Sequence, residues 1–338
     1  MQYVEYINNI LIPKITEKEV ILDLFAGCGG LSLGFESAGY KTIGFEMNNA
    51  AAETYKKNLK GNCHAIKLDL EFDYPKAEII IGGPPCQPFS VGGHQKGIED
   101  SRDGFPIFID AVKKLQPRVF MFENVRGLLY TNKWYFDLVI KELQAIGYII
   151  DYKLLNAVNY GIPQNRERLF VFGHRSKFNF PKPQTKKVTV GEAIGDIMFT
   201  IPSESKFLNE SMDKYVAKYE KASACINPRD LYPDKPARTL TCRNLAGATG
   251  DMQRVKLKDG RRRRLLHKEA ARLQSFPDWF KFEGNEVEHY NQIGNAVPPL
   301  LAYQLAISLK ECYNLGELYS KKEIIENKLY ANNVLTLF

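Results

Sequence analysis

Short apolar runs and amphipathic stretches take turns through the first half of this chain. VILDLF (20–25), KTIGF (41–45), AIKLDL (65–70), EIIIGG (78–83) and VFMFEN (119–124) have the length and the β-branched or aromatic content of strands. Between them, LSLGFESAGY (31–40), AAETYKKNL (51–59), IFIDAVKKL (107–115) and FDLVIKELQAIG (136–147) are amphipathic in the manner of helices. The alternation predicts a doubly wound α/β domain with a mostly parallel sheet, whose ligand sites lie at the carboxyl ends of the strands. After RLFVFG (168–173) the rhythm breaks. From about residue 177 to 236 the chain is rich in Pro, Lys, Ser and Asn with weak periodicity, which predicts a second, smaller domain. Helical spacing returns in HKEAARLQSF (267–276) and PLLAYQLAISLKECY (299–313), the latter apolar enough to pack back onto the first domain. The expected division is 1–176 for the larger domain, 177–285 for the smaller, and 286–338 as a return to the first, ending in a surface helix and a loose tail.

The 338 residues suffice for one large core or for two domains. No apolar stretch approaches the roughly 18 residues that span a bilayer, and the start MQYVEYINN lacks a secretory pattern, so a soluble, cytoplasmic protein without a membrane partner is expected. Six scattered cysteines with no Cys-x-x-Cys pair suggest free thiols and no metal site. A net charge of +7 says little by itself, but RVKLKDGRRRR (254–264) holds seven of the basic residues. It reads as a phosphate-binding edge, the alternative being a solvated basic turn. Five phosphate contacts would give log affinity a slope near about −4.5 against log salt.

Two strand ends carry candidate chemistry. VILDLF runs into Ala26-Gly27-Cys28-Gly29-Gly30 and a helix, an arrangement that receives an anionic group on backbone amides. A dinucleotide fingerprint would need glycine where Ser32 stands, so nicotinamide binding is disfavoured. Phe25 offers a stacking face, Glu46 at the end of the second strand suits ribose hydroxyls, and Asp69 at the end of the third could accept from an adenine amino group. A plain glycine turn is the competing reading. At the end of the fourth strand, Gly82-Gly83-Pro84-Pro85-Cys86-Gln87-Pro88-Phe89-Ser90 holds a thiol in a turn fixed by proline on both sides. A lone cysteine is more often a small core residue, but flanking prolines argue against filler.

With DLFAGCGG, GGPPCQPFS, FENVRGL, QNRERLF, RTLT and GNAVPP in this order, the chain resembles the bacterial DNA cytosine-5 methyltransferases over most of its length. The stretch from about residue 177 to 236 is the exception. The resemblance implies a Rossmann-like class I fold dependent on S-adenosylmethionine (S-adenosylhomocysteine being the product), with a target-recognition domain and double-stranded DNA as partner. It implies a monomer that modifies DNA beside a restriction endonuclease. Carbon 5 of cytosine cannot attack a sulfonium methyl until a nucleophile adds to carbon 6, and Cys86 is the candidate nucleophile. Glu123 in Phe122-Glu123-Asn124-Val125 is the candidate proton donor at ring nitrogen 3, which requires a raised pKa. An ion-paired or capping glutamate is the plainer alternative. In Gln164-Asn165-Arg166-Glu167-Arg168 an extended backbone would point both arginines at a bound base. The resemblance gives Arg168 the ring carbonyl and has Arg166 steady the site; a surface ion-pair ladder with Glu167 is the alternative.

The cofactor set by resemblance is Phe25, Gly27, Gly29, Glu46, Met47, Asp69, Leu70, Pro85, Asn295 and Ala296. Gly294-Asn295-Ala296-Val297-Pro298 resembles the motif that completes that pocket. GGHQKGIEDSRDG (92–104) has the composition of a lid over DNA. The family's usual Leu-Phe pair after Asp100-Ser101-Arg102 is here Phe105-Pro106, a departure at the start of the next helix. Ser90 and Arg238 are candidate DNA contacts, and Arg243 and Asn244 candidate readers of base edges. The target base would have to be flipped out of the duplex. The rivals are a tRNA cytosine methyltransferase of the same fold, an inactive DNA-binding module and a dinucleotide oxidoreductase. The tRNA branch's Cys-Phe-Thr segment is missing, Cys86, Glu123 and Arg168 are intact, and Ser32 opposes the last.

Overall fold

Parallel strands covered on both faces read as unbroken apolar runs, and the runs of the first half pair accordingly. The computed structural model describes residues 2–85, 103–222, 229–246, 251–314 and 319–326. Helix α1 (Tyr3–Ile10) precedes strand β1 (Val20–Leu24), followed by α2 (Gly30–Ser37), β2 (Lys41–Glu46), α3 (Asn49–Asn58), β3 (Asn62–Ala65), β4 (Ile79–Gly82), α4 (Phe105–Leu115) and β5 (Val119–Val125). Next come α5 (Lys133–Ala145), β6 (Ile149–Asn156), a two-residue β7 (Gln164–Asn165) and β8 (Glu167–His174). The main sheet runs β3-β2-β1-β4-β5-β8-β6. The first five strands are mutually parallel, and β8 lies antiparallel between β5 and β6. This is the doubly wound, mostly parallel architecture that the alternation predicted, with strand order reversing between β1 and β4, where such sheets bind ligands.

Helix α4 begins at Phe105 with Pro106 in its first turn, where a missing N–H costs nothing, and ends at Gln116 in the left-handed conformation. The Phe105-Pro106 departure thus forms a regular helix start. The strand expected over 65–70 is displaced. β3 ends at Ala65, where its single neighbour β2 ends at Glu46, and past a last bond from Ile66 to the Glu46 carbonyl the chain has no partner to pair with. Asp69 therefore lies in the turn beyond the strand.

The second half contains α6 (Val190–Ile194), α7 (Glu210–Ala222), β9 (Ala237–Arg238), α8 (Cys242–Ala246), β10 (Arg254–Lys256), β11 (Arg262–Arg264), α9 (His267–Leu273), α10 (Glu286–Asn295), α11 (Pro299–Asn314) and α12 (Lys321–Glu326). Helix α11 packs on α2 so closely that a Cβ on Gly34 would lie 2.4 Å from that of Ala302. The expected boundaries at 176 and 285 do not separate cores. Val190, Leu240, Leu265, Ala270, Leu273 and Ile293 share one apolar cluster with Leu33, Ala52, Tyr55 and Leu59 of the α2 and α3 region. A small separate cluster, Leu208, Val216 and Met252, lies under α7. Among the described residues, no helix is long and apolar enough to cross a membrane.

Candidate active site

The glycine loop leaves β1 at Phe25, whose φ of 63° is a left-handed conformation seldom adopted by a bulky residue. Gly27 (φ 55°) and Gly29 (φ 85°) continue the tight path, and among the described residues a Cβ on Gly27 would meet nothing within 4 Å, whereas one on Gly29 would lie 2.4 Å from Leu59 Cδ1. Glu46 anchors it. One carboxylate oxygen accepts from the Gly27 amide at 2.9 Å and the other from the Asn48 amide at 2.7 Å, each keeping a further lone pair for a ligand hydroxyl. Ser32, the residue that breaks the dinucleotide fingerprint, donates to buried Asp23 at 2.6 Å and accepts from Tyr55 at 3.0 Å. Burial pushes the Asp23 carboxyl up to about 7 against the opposing Ser32 bond. Met47, next to Glu46, and Leu70, past the end of β3, are 69% and 55% exposed, large apolar side chains left without a covering partner among the described residues. Asp69 is exposed, with one carboxylate oxygen capping the Glu71 amide. On the other flank, a Cβ on Gly30 would stand 3.0 Å from that of Ala296, so the turn after α10, with Asn295 exposed, borders the same loop.

The fourth strand delivers Gly83-Pro84-Pro85 next to this loop. A Cβ on Gly104 would lie 2.4 Å from Pro85 Cδ and 3.0 Å from Phe25 Cζ, so the aromatic ring and the proline are neighbours. The Gly104 amide donates to the Pro85 carbonyl at 2.9 Å, and Asn124 holds the Pro84 carbonyl at 3.0 Å. Cys86, Ser90 and all but the last two residues of the lid expected over 92–104 lie outside the described residues.

Glu123 lies within β5, its register partner on β8 being Phe170. Its side chain is 12% exposed, and Arg168 Nε lies 3.0 Å from Oε1. Oε2 lies 3.8 Å from where a Cβ on Gly83 would sit. Burial raises the Glu123 pKa above the usual carboxylate range, while the positive charges of Arg168 and Arg166 oppose that rise. Glu123 is thus ion-paired, and Glu167 pairs across to Arg126 instead of forming a ladder with Arg166 and Arg168.

Arg166 falls between β7 and β8 and is 1% exposed, and its charge acts on Glu123 in the same direction as that of Arg168. Its guanidinium donates to the Leu240 carbonyl at 2.7 Å and to those of Gly294 and Ala296 at 3.0 Å each. Burial lowers its pKa, with the Arg168 charge acting in the same direction. Asn244 turns inward. It is 5% exposed and spends part of its amide locally, accepting from the Thr241 amide at 2.9 Å and donating to the Thr239 carbonyl at 2.8 Å. A short polar side chain at a helix start satisfies backbone first. Arg243 is exposed, and Arg238 is 39% exposed, near Asp251.

The basic run also departs from expectation. It forms the β10–β11 hairpin, and Arg254 (2% exposed) pairs with Asp230 at 2.6 Å and Glu220 at 3.1 Å. Arg262 joins the same acids and Asp213, and fully buried Arg263 bonds both oxygens of Glu269 at 2.7 and 2.9 Å. Three of the seven cations are therefore internal structure, leaving Lys256, Lys258, Arg261 and half-buried Arg264 for a phosphate. Sequence reasoning also missed Gln164 and Gln274, both wholly buried. Gln164 opens a recognised motif, which is a signal that could have found it; Gln274 has no such mark and is one more polar residue at a helix end.

Comparison with known proteins supplies the family and the fold. The profile of the family described as C-5 cytosine-specific DNA methylase matches residues 20–311. The Type II methyltransferase M.AplI of Arthrospira platensis is 55% identical over 315 residues, covering 92% of this chain and 91% of its own. M.FnuDI of Fusobacterium nucleatum is 35% identical over 350 residues, covering 92% and 99%. Among solved structures, the S. pombe Dnmt2 methyltransferase superposes with a TM-score of 0.67 at 17% identity, over 88% of this chain and 99% of that one. The Entamoeba histolytica methyltransferase EhMeth does so with a TM-score of 0.62 at 20% identity, over 88% and 99%. At such identities the structures speak for the fold alone. The family match spans nearly the whole described core, and the chain belongs to the C-5 cytosine-specific DNA methylases, making it a DNA (cytosine-5)-methyltransferase.

Proposed function

We propose that this enzyme methylates a flipped cytosine in one double-stranded DNA sequence through a covalent bond to Cys86, as the modification partner of a restriction endonuclease. What supports the reading most is the carboxyl of Glu123, buried, raised in pKa and set against Gly83 of the turn that leads to Cys86.

In this reading S-adenosylmethionine supplies the electrophilic methyl group. The open face of Gly27, the Glu46 carboxylate and the exposed Met47 and Leu70 side chains fit a nucleoside with an apolar base and a hydroxylated sugar. Phe25, Gly29, Asp69, Pro85, Asn295 and Ala296 complete that set. The Cys86 thiolate adds to carbon 6, and the negative charge this builds in the ring is relieved by a proton from Glu123 to nitrogen 3. The enamine so formed is nucleophilic at carbon 5, which takes the methyl; a solvent water then accepts the carbon 5 proton as the thiolate is expelled, and nitrogen 3 returns its proton to the Glu123 carboxylate, restoring the aromatic ring. Arg168 binds the ring carbonyl and holds the carboxyl of Glu123 in place. Arg166 acts through backbone carbonyls as a positioning residue. Asn124 fixes the Pro84 carbonyl and so the approach of the thiol. Phosphates meet Arg238, Arg243, Ser90 and the exposed part of the basic hairpin.

The test is transfer of labelled methyl from S-adenosylmethionine to unmethylated DNA and to tRNA, with the wild type and Cys86→Ser. Label recovered in DNA as 5-methylcytosine and lost with the variant supports the reading, and bisulfite sequencing then maps the site. Label confined to tRNA would overturn it.

A further inference from the structure

Three side chains meet in a dry pocket at the junction of the two halves. Gln164, Gln274 and Arg166 are 0%, 0% and 1% exposed. Gln164 donates to the Leu273 carbonyl at 3.2 Å and to Gln274 Oε1 at 2.5 Å, and its own oxygen accepts from the Leu240 amide at 2.9 Å. Gln274 donates to the carbonyls of Ile293 at 3.1 Å and Ala296 at 2.6 Å. Leu240 thus has its amide held by Gln164 and its carbonyl by Arg166, while the Ala296 carbonyl is shared by Arg166 and Gln274.

The segments tied together are functionally distinct. Leu240 continues β9, which pairs in parallel with β7 at Gln164↔Ala237 and Asn165↔Arg238. Ala296 borders the glycine loop. Ser275, next to Gln274, is held at φ 66°, a left-handed strain that persists only where surroundings over-determine it, and its hydroxyl accepts from the Leu300 amide at 3.1 Å. Buried, and with every polar atom of these side chains but Arg166 Nε bonded among the described residues, such a network has few alternative arrangements, so a shift of one segment is felt by the others.

We propose that Gln274 is a positioning residue that couples the cofactor floor at Ala296 to the strand at Arg238–Leu240, so that filling one site strengthens binding at the other. The inference rests on the proposed assignment of Ala296 to the cofactor pocket and of Arg238 to DNA. Coupling between two sites is reciprocal, and factors of about 5 to 150 are typical. A physical link is demonstrated only when both sites bias the same element.

Gln274→Met keeps the volume, gives up the bond to the Ile293 carbonyl and leaves the other two severed partners with another bond each. Gln164 retains the Leu273 carbonyl, and the Ala296 carbonyl retains Arg166. The experiment is calorimetric titration of S-adenosylhomocysteine into the full chain, alone and with excess of a duplex that the wild type methylates. Wild type is expected to bind it at least about fivefold more tightly with the duplex present. Gln274→Met is expected to lose most of that ratio while binding S-adenosylhomocysteine alone as the wild type does. A merely structural role would weaken both titrations together and leave the ratio intact, and that result overturns the proposal. A wild-type ratio near one overturns it too. Failure of the wild type to bind S-adenosylhomocysteine at all would instead sink the cofactor assignment beneath it. If Gln274→Met melts early, Gln274→Glu gives another reading of the ratio, since it still accepts from Gln164 but sets a carboxylate against the Ala296 carbonyl.

Discussion

The sheet and the segment that follows it bury charge in opposite ways. Under the sheet the buried acid Asp23 has a hydroxyl for a partner, and burial raises its carboxyl to about 7. In the second half, Arg254 and Arg263 are buried and Arg262 partly so, with carboxylates beside them. The difference follows from composition. The sheet has Ile, Val or Phe in every strand but the edge strand β3 and can be held by apolar burial, at about 25 cal/mol per Å². The segment around α7 has a small apolar cluster and closes itself with ion pairs and hydrogen bonds to backbone. A basic run there is as much a clasp as a surface.

The largest effect we expect belongs to the sheet. Glu123→Gln should lower kcat by about 10²- to 10⁴-fold in methyl transfer to DNA, the usual worth of a positioned proton donor. The sign of its pH dependence follows from burial. A carboxyl raised in pKa holds its proton below that value and loses it above, so wild-type kcat should fall as pH rises through it. The residual activity of Glu123→Gln should lack this falling limb; a variant that keeps both the rate and the limb would remove Glu123 from the chemistry.

The clasp is tested next. Arg263→Ala leaves Glu269 buried without its partner, and thermal or urea unfolding should report a loss of about 3–5 kcal/mol. Two residues away, Arg261 pairs with Asp259 at the surface, and Arg261→Ala should cost less than about 0.5 kcal/mol. Equal costs would erase the distinction between clasp and surface.

The smallest effect sharpens the same division at α8. Asn244→Ala removes a cap to the Thr241 amide and should cost about 1 kcal/mol in stability while leaving the methylated sequence unchanged. Arg243→Ala should do the reverse, weakening the apparent affinity for DNA with no change in melting temperature. A changed methylation site in Asn244→Ala would return that residue to base reading.

Much of the fold was legible because parallel strands and amphipathic helices leave period and composition in the chain. The sheet, the glycine loop, the turn at Pro84-Pro85 and the place of Glu123 in β5 were all readable in that way. Asp69 was displaced because an edge strand ends where its neighbour ends, which no single run of residues records. Extended alternation was assumed through Arg166 and Arg168, and the break between β7 and β8 follows the pairing of β7 with β9, some seventy residues away. The burial of Asn244, Arg254 and Arg263 was illegible for a related reason: an exposed cation and an internal one are the same letter.

By itself, then, the sequence determined the architecture of the sheet, the order of the motifs and the chemical types gathered at the strand ends, because these depend on local periodicity and on backbone constraints such as glycine and proline. Only the tertiary structure decided which charges turn inward, which of the two arginines meets Glu123, and that Gln164 and Gln274 join the halves. Those choices rest on partners distant in sequence, whose hydrogen bonds and ion pairs exist only once the chain has brought them together and excluded water.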